Sequence, residues 1–416
     1  MARNNVYVEK LQGRLGRRAL SLDGVAALIT NGVAVADKLV LGTKYVLKSP
    51  NDLINLGVDE AYDIANKVLV YHRVLRFFLR NPSGELHLMV VAQTVTMTQM
   101  ADKANVNYAK KLLKDANGRI KMLAIARNPA TGYEPVVTSG MDSDVLAAIP
   151  KAQALLEEEF EQFRFAEIFL EGRSFSGTAS AATDLRDIED VSAPNVSVIF
   201  KQDLDLAAKD ALFAGHANVE DFLGLESRVP VSQNVGERID DFNLTNVAEA
   251  IDLKVGLSSG QAIATYTDTD LTTLHDKGYI FAEPVAGIDG FFFNDTSTCV
   301  AITSDYAFVE NNRTINKAIS LARLATLPNV NARMRIDSST GRLLDVERSR
   351  IEDTAVGALD VMLRDGDISG GVSAVIDPDQ NLLAGEDLII ELVFVPVAIG
   401  RKIRLKVGFS NPFNNN

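Results

Sequence analysis

The pentapeptide Gly256-Leu257-Ser258-Ser259-Gly260 has the spacing of a nucleophile elbow, the turn that presents a catalytic serine in many hydrolases. Such a serine needs a strand before it, a helix after it, and a later acid and histidine to complete the catalytic triad. The following residues, QAIATYT, have the composition of a strand or loop, and His275 is the only downstream histidine. It follows too closely to leave room for the usual intervening strand and helix. A serine hydrolase using Ser258 is therefore a distant alternative, which a Ser258→Ala variant would test in an esterase assay.

Residues that could bind a metal or cofactor form no recognised motif. The histidines are scattered and the single cysteine, Cys299, has no second cysteine with which to form a zinc motif. Asp377 to Asn381 begins like a calcium loop, but Leu382 and Leu388 replace its glycine and its bidentate glutamate. Neither a phosphate-binding loop nor a dinucleotide-binding glycine motif occurs. The sequence thus predicts no catalytic residues, no cofactor site and no metal site, and a protein that is not an enzyme.

Composition narrows the class of protein further. The chain has 416 residues and a net charge of −13, which suits two or three domains and argues against a nucleic-acid partner. No apolar stretch is long enough to span a membrane, so we expect no membrane insertion. The N-terminal residues lack the apolar region of an export signal, and a single cysteine suits a reducing compartment.

Both ends of the chain are basic although the whole chain is acidic. The first eighteen residues contain a single acid, Glu9, and these bases: Arg3, Lys10, Arg14, Arg17 and Arg18. The C-terminal end adds Arg401, Lys402, Arg404 and Lys406. These cations could lie on solvated faces of strands, or could contact an acidic surface on a neighbouring copy.

Helix and strand patterns alternate through the first two thirds of the chain, which predicts an α/β layer. A helix is expected from Asp59 to about Leu79, with Ile64, Val68, Tyr71 and Leu75 on its buried face. A second is expected over residues 151–163, with Glu157, Glu158 and Glu159 as its solvated face. Further along, helices are predicted over 310–327 and 345–364, with a strand over 330–336 between them.

The C-terminal end predicts two strands. Leu388 to Val395 is almost continuously apolar, as in a strand covered on both faces, and should end near Pro396. Four apolar residues then alternate with basic residues and a glycine, as in a strand with one wet face: Ile403, Leu405, Val407 and Phe409. Because unpaired strand edges recruit other chains, these strands need a partner.

Four stretches of this sequence resemble contractile tail sheath proteins of phages and phage-like injection systems. They are residues 45–57 (YVLKSPNDLINLG), 77–91 (FFLRNPSGELHLMVV), 305–346 and 386–413. Within the third, Asn312, Arg313 and Lys317 match the Asn-Arg-x-x-x-Lys pattern of the conserved C-terminal sheath domain. The resemblance covers most of the chain in order.

The resemblance implies a multi-domain fold of the α/β (α+β) class, with a sheath-type C-terminal domain and strand-forming arms at both ends. The expected parts are an N-terminal arm (1–20), one or more α/β domains (21–265), a sheath-like C-terminal domain (266–385) and a C-terminal arm (386–416). Such arms add strands to the sheet of a neighbouring copy. The residues expected at these contacts are Val6, Tyr7, Val8, Arg17, Arg18, Ile390, Leu392, Phe394, Arg404, Leu405, Lys406 and Val407. The Asn312, Arg313 and Lys317 motif is expected to face the tube or to serve the structure.

The implied function is that of a homopolymeric sheath that contracts around a tail tube, without a cofactor. Its implied partners are further copies of itself, the tube protein, and baseplate and tail-terminator proteins. It would be made in the bacterial cytoplasm and reside in a phage tail or an injection particle. A tube or baseplate component is the alternative, although tube subunits are usually about one domain long.

Overall fold

The computed structural model describes residues 22–384 and 387–409, and the chain forms two compact units, Met1–Leu324 and Ala325–Asn416. Residues 266–324, which the sequence assigned to the C-terminal domain, pack within the first unit. Tyr279, Phe281 and Phe292 are buried in its two hydrophobic cores. The observed division therefore lies near the end of a long helix, well after residue 265.

The strands of the first unit are β1 (Ala26–Gly32), β2 (Lys44–Leu47), β3 (Leu86–Ala92), β4 (Met122–Ile125), β5 (Val137–Thr138), β6 (Met141–Asp142), β7 (Glu167–Glu171), β8 (Val196–Ile199), β9 (Lys201–Asp203), β10 (Val255–Leu257), β11 (Gln261–Ala262), β12 (Ala282–Val285) and β13 (Ile288–Phe293). Its helices are α1 (Pro50–Asn55), α2 (Glu60–Asn66), α3 (Val70–Arg80), α4 (Met97–Ala101), α5 (Ala109–Ala116), α6 (Ser143–Glu161), α7 (Leu204–Ala207), α8 (Val219–Arg228), α9 (Asp268–Asp276) and α10 (Val309–Thr326), whose end crosses the division. The second unit contains α11 (Asp345–Gly357), α12 (Asp360–Asp365), β14 (Ile368–Ile376) and β15 (Ile390–Pro396).

The first unit is built on a six-stranded sheet in the order β2-β3-β1-β4-β7-β8. All neighbours are parallel except β2, which runs antiparallel to β3. Successive residues of β1 enter opposite cores: Ala27 and Ile29 face α4, α5 and α6, whereas Ala26 and Leu28 face α3 and α8. Helices on both faces bury the parallel strands of the sheet, which explains their apolar runs. The predicted α/β layer is confirmed.

The helix predicted from Asp59 is two helices, α2 and α3. Lys67 adopts the left-handed conformation (φ 53°) and ends α2. The Asp63 carboxylate then accepts from the backbone N–H groups of Val70, Tyr71 and His72, so it caps α3. This break rotates the two helices relative to one another, and the predicted face was wrong. Ile64 is 71% exposed and Leu75 is 39% exposed.

The predicted helix over residues 310–327 is confirmed as α10, and that over 151–163 as the second half of a longer helix, α6. The helix predicted over 345–364 is interrupted and forms α11 and α12. The strand predicted over 330–336 is absent; there Ile336 makes only an isolated bridge to Leu343. Glu159, predicted on a solvated face, is fully buried, and its pairing with Arg164 offsets the cost of burying the carboxylate.

The two predicted terminal strands differ in their outcome. The first is β15, but it pairs with β14, and four of its seven residues are exposed instead of being covered on both faces. The second is not a strand in the described chain: residues 397–409 have no regular structure. Ile403, Leu405, Val407 and Phe409 are 83%, 82%, 92% and 109% exposed. The alternating pattern encodes a strand, but in a single chain the described residues offer this segment no paired neighbour.

Candidate assembly surface

The sheet of the second unit is incomplete. In the described residues β14 and β15 pair only with each other, in antiparallel register from Ile368 opposite Pro396 to Ile376 opposite Ile390. Within the described residues no further strand covers the outer edge of β14 or β15, although the backbone N–H of Ile376, at the end of β14, donates to Glu352. A two-stranded sheet is marginally stable by itself, and open edges are sites at which another strand can add.

The two faces of β15 differ in a way that suits strand addition. Ile390, Leu392 and Phe394 are half-buried and alternate with exposed Glu391, Val393 and Val395. Because α11 contacts both strands, the half-buried residues lie on the helix side of the sheet. These three residues, predicted from the sequence to make intersubunit contacts, thus belong to the sheet that would receive a strand.

Residues 401–409, here called the tail, contain apolar side chains that alternate with basic ones and would match the two faces of β15. Leu405 and Val407 point away from Arg404 and Lys406 in any extended conformation, because side chains alternate along a strand. All four of these residues are exposed. The remaining predicted contact residues, Val6, Tyr7, Val8, Arg17 and Arg18, lie outside the described residues.

The Asn312, Arg313 and Lys317 motif lies on α10 and points into the first unit. Asn312 donates from Nδ2 to the carbonyl oxygens of Pro194 (2.9 Å) and Phe308 (3.0 Å). Arg313 Nη1 lies 2.7 Å from Glu226 Oε2, and Lys317 Nζ lies 2.7 Å from Asp23 Oδ2. Pro194 and Asp23 precede β8 and β1, so the motif fastens α10 across the amino ends of the parallel strands.

Two buried carboxylates, Glu226 and Glu310, lie near Arg313. Glu226 contacts Arg313, and Glu310 accepts from Asn234 and Thr296 one turn away on the same side. Burial raises the pKa of Glu226 to about 7; Arg313 opposes this rise and the Glu310 carboxylate adds to it. Burial also raises the pKa of Glu167, which accepts from Asn195 and Asn316. Burial thus raises the pKa of two carboxylates, Glu226 and Glu167, at this end of the sheet.

The opposite, carboxyl end of the sheet contains a buried ion network that the sequence analysis missed. Three arginines of α3 occupy its buried face, at positions 73, 76 and 80. Arg73 contacts Glu171, at the end of β7, at 2.6 Å and Glu220, in the first turn of α8, at 2.7 Å. All three side chains are fully buried.

Arg76 and Arg80 share two aspartates with Lys201. Arg76 lies 2.5 Å from both Asp221 and Asp252, while Arg80 lies 2.9 Å and 2.8 Å from the same two residues. Lys201 Nζ also contacts both carboxylates. The three cations hold the pKa of Asp221 well below its usual range, despite its burial.

In open parallel sheets, ligands bind in the crevice beyond the carboxyl ends of the strands. In this chain the network occupies that place with side chains that pair with one another, although Arg73 Nε has no hydrogen-bond partner among the described residues. The spacing of Arg73, Arg76 and Arg80 was visible in the sequence, but a helix with arginines three and four residues apart is normally interpreted as a solvated face.

The surroundings of Ser258 give its side chain a structural role, because it bonds only to backbone groups among the described residues. Its side chain is 1% exposed, donates to the carbonyl oxygen of Gly172 and accepts from the backbone N–H of Phe175. A short β-hairpin, β10 to β11, replaces the helix that a nucleophile elbow needs. His275 pairs with Asn294. The described surroundings of Ser258 do not assemble a catalytic triad.

Two further features concern the described residues only. Across residues 22–384 and 387–409, no three side chains among histidine, cysteine, aspartate and glutamate are grouped so that they could hold a metal ion. The helices within these ranges are too short or too polar to cross a membrane.

Comparisons with known proteins agree with this architecture. A comparison with curated protein sequences finds no match. Among solved structures, a chain of the anti-feeding prophage helical sheath in its contracted state aligns over 99% of this chain and 100% of its own, with a TM-score of 0.61 and 14% identity. A chain of the baseplate of that prophage gives a TM-score of 0.61 at 13% identity over 99% of this chain and 100% of its own. The contracted sheath complex of an extracellular contractile injection system, PVC, gives 0.56 at 13% identity over 99% and 98%.

At these identities the structural likeness establishes the fold. Two family models cover nearly the whole sequence. The model "DUF2586, N-terminal domain" matches residues 3–297, and "DUF2586, C-terminal domain" matches residues 305–414. The chain belongs to the DUF2586 family and has the fold seen in chains of contractile sheaths.

Proposed function

We propose that this protein is the structural subunit of a contractile sheath, which polymerises into a helical cylinder around a tail tube. Contraction of the cylinder would drive the tube through a target envelope, powered by the free-energy difference between two packings of the same chain. The observation that carries the proposal is that one chain has both an incomplete sheet, β14–β15, and an exposed strand-like tail, in a fold shared with sheath chains. The tube, baseplate and tail-terminator proteins would be its partners, in a phage tail or an injection particle.

Polymerisation proceeds by strand exchange between copies. The tail of one copy pairs with an open edge of the β14–β15 sheet of the next. Leu405 and Val407 then continue the helix-side face formed by Ile390, Leu392 and Phe394, and Arg404 and Lys406 lie on the face of Glu391. Opposite charges on one face of neighbouring strands stabilise pairing by about 0.2–1 kcal/mol. Val6, Tyr7 and Val8 supply a second strand in the same way.

A joint is the contact between the tail of one copy and the β14–β15 sheet of the next. The favourable and unfavourable free-energy terms of one joint nearly cancel. Burying the four apolar side chains of the tail would contribute about 6–12 kcal/mol, at about 1.5–3 kcal/mol each. Ordering its seven residues from Ile403 to Phe409 costs about 7–14 kcal/mol of backbone entropy, at about 1–2 kcal/mol per residue. The hydrogen bonds of the added strand and the contribution of the N-terminal arm then decide whether the net free energy of the joint is favourable. Because one joint is weak by itself, it is stable only when many copies assemble together. The same weakness permits subunits to move during contraction.

The contacts of Asn312, Arg313 and Lys317 indicate two structural roles for this motif. Because Asn312 and Arg313 are buried among partners in their own unit, we assign them to the attachment of α10 and not to the tube surface. Lys317 pairs with Asp23 close to the start of the described chain, so it attaches α10 to the residues that precede β1.

The proposal is tested by expressing the protein alone and imaging it by negative-stain electron microscopy. Hollow cylinders with helical striation are expected, because the chain carries both the donor strands and the open sheet. Stacked thin rings or monomers would instead favour a tube or baseplate component. Deleting Met1 to Arg18 should leave a folded subunit that forms no cylinders, and a deletion variant that still forms them would contradict the role of the arm.

A further inference from the structure

A surface groove of the first unit lies between the last turns of α6 and the middle of α10. Its floor is formed by Leu156, Phe165 and Ala166, which are 4–5% exposed. Phe160 forms one wall: it is 49% exposed and stands edge-on to Phe165, with ring centroids 5.0 Å apart. Asn195 and Asn316 complete the opposite side. An aromatic side chain that is half exposed above an apolar floor leaves room for one further apolar side chain.

The rim of this groove is acidic. Glu157 and Glu161, one helical turn apart, line it and are exposed. Within the described chain neither forms a salt bridge, whereas the neighbouring Glu158 and Glu159 pair with Lys110 and Arg164. The carboxyl end of a helix carries a partial negative charge, which adds to the field of these two carboxylates. The rim therefore favours a basic segment.

The described chain begins beside this groove. Lys121 donates to the carbonyl oxygen of Val25 and accepts from Glu167, which places β4 between the start of β1 and the start of β7. Asp23 is held by Lys317, the neighbour of the groove residue Asn316. Ala26, three residues after Asp23, is two strand spacings from Glu167, roughly 10 Å. Five residues before Leu22 can span up to roughly 17 Å, so residue 17 reaches the groove.

We propose that residues 14–20 (RLGRRAL) dock in this groove of their own chain. Leu15 or Leu20 fills the space beside Phe160, and Arg17 and Arg18 lie against Glu157 and Glu161. The occupant is argued from the point where the described chain begins, its reach, and the match of a segment with three arginines and no acid to an acidic rim. Residues 1–11 remain available to a neighbouring copy. This anchor does not depend on the sheath function, and it changes the sequence-based expectation that Arg17 and Arg18 contact a neighbour.

Trypsin provides the first test, on the full chain kept dilute and shown to be unassembled by sedimentation. We expect cleavage after Arg17 and Arg18 to be at least roughly tenfold slower than after Lys10, equivalent to about 1.4 kcal/mol of protection. A Phe160→Asp/Glu161→Lys variant should remove this difference. The matched control, Val106→Asp/Glu60→Lys, changes exposed residues away from the groove and should preserve it. Equal cleavage at all three sites in the unmodified chain would overturn the proposal.

Cross-linking tests whether the groove belongs to the same chain. Cys299 is buried, and burial raises the pKa of its thiol to about 12, so it does not compete for a thiol reagent. An Arg18→Cys/Glu161→Cys protein should form an intrachain link, while Arg18→Cys/Glu60→Cys should not. Linked dimers, or dimers from a mixture of the two single-cysteine chains, would place the segment on a neighbouring copy and overturn the proposal. Because both tests use unassembled protein, their outcome is separate from whether cylinders form.

Discussion

The exposed tail provides the sharpest test of the assembly mechanism. Leu405 and Val407 are 82% and 92% exposed in the single chain, so replacing both by glutamate removes no packing from the subunit. In a polymer their burial would contribute about 3–6 kcal/mol per joint. Losing that contribution should raise the critical concentration for assembly by roughly 10²- to 10⁴-fold. The Leu405→Glu/Val407→Glu protein should therefore remain soluble and folded but form no cylinders.

The assay is sedimentation of the polymer over a range of protein concentrations, with negative-stain images of the pellet. Urea unfolding of the unassembled subunit should give the same midpoint as the unmodified protein, because the changed side chains touch nothing in it. Val247→Glu is the matched control, since Val247 is 77% exposed in a loop of the first unit. If the tail variant assembles at the normal concentration, or if Val247→Glu abolishes assembly equally, the reasoning about strand exchange is refuted.

Three further predictions concern charge. Arg404→Glu/Lys406→Glu should weaken assembly strongly at low salt and less at high salt, since exposed charge interactions are screened; sedimentation that is unchanged at low salt would exclude this contact. The raised pKa of Glu226 means that its contribution to stability is complete below its unfolded pKa and is lost as pH rises through about 7. Glu226→Gln should therefore flatten the dependence of the unfolding free energy on pH between about 4.5 and 7 by up to about 1.4 kcal/mol per pH unit; an unchanged slope in urea unfolding would contradict this. Arg76→Met should destabilise the first unit by about 3–5 kcal/mol, because it leaves Asp221 and Asp252 buried with fewer cations, and a loss below about 1 kcal/mol by the same measurement would show that Arg80 and Lys201 compensate.

The assembly surface was partly predictable from the sequence. The alternation of Ile403, Leu405, Val407 and Phe409 with polar residues encodes a strand wherever a partner edge exists. The β15 strand and its end at Pro396 followed from local pattern as well. Its partner β14 did not, because ISGGVSAVI contains two glycines and two serines that weaken the strand signal.

Local sequence also determined the central elements of the first unit. The alternation of helix and strand patterns predicted the α/β layer, and the spacing of apolar residues predicted α10. These signals depend on neighbours within a few residues, so one sequence is sufficient to detect them. The same rule failed at α3, where the prediction placed Leu75 inside and gave the arginines no role.

Only the tertiary structure decided that Arg73, Arg76 and Arg80 lie in the interior. Their acidic partners Glu171, Glu220 and Asp252 are 98, 147 and 176 residues away in the chain. Burying a guanidinium is unfavourable unless carboxylates meet it with good geometry, and that geometry exists only after β7, α8 and the loop before β10 converge. The sequence by itself therefore determined the α/β layer of the first unit and its helix α10, and it predicts that the tail needs a partner. The folded chain decided which charged residues fill the carboxyl end of the sheet, where a ligand would otherwise bind.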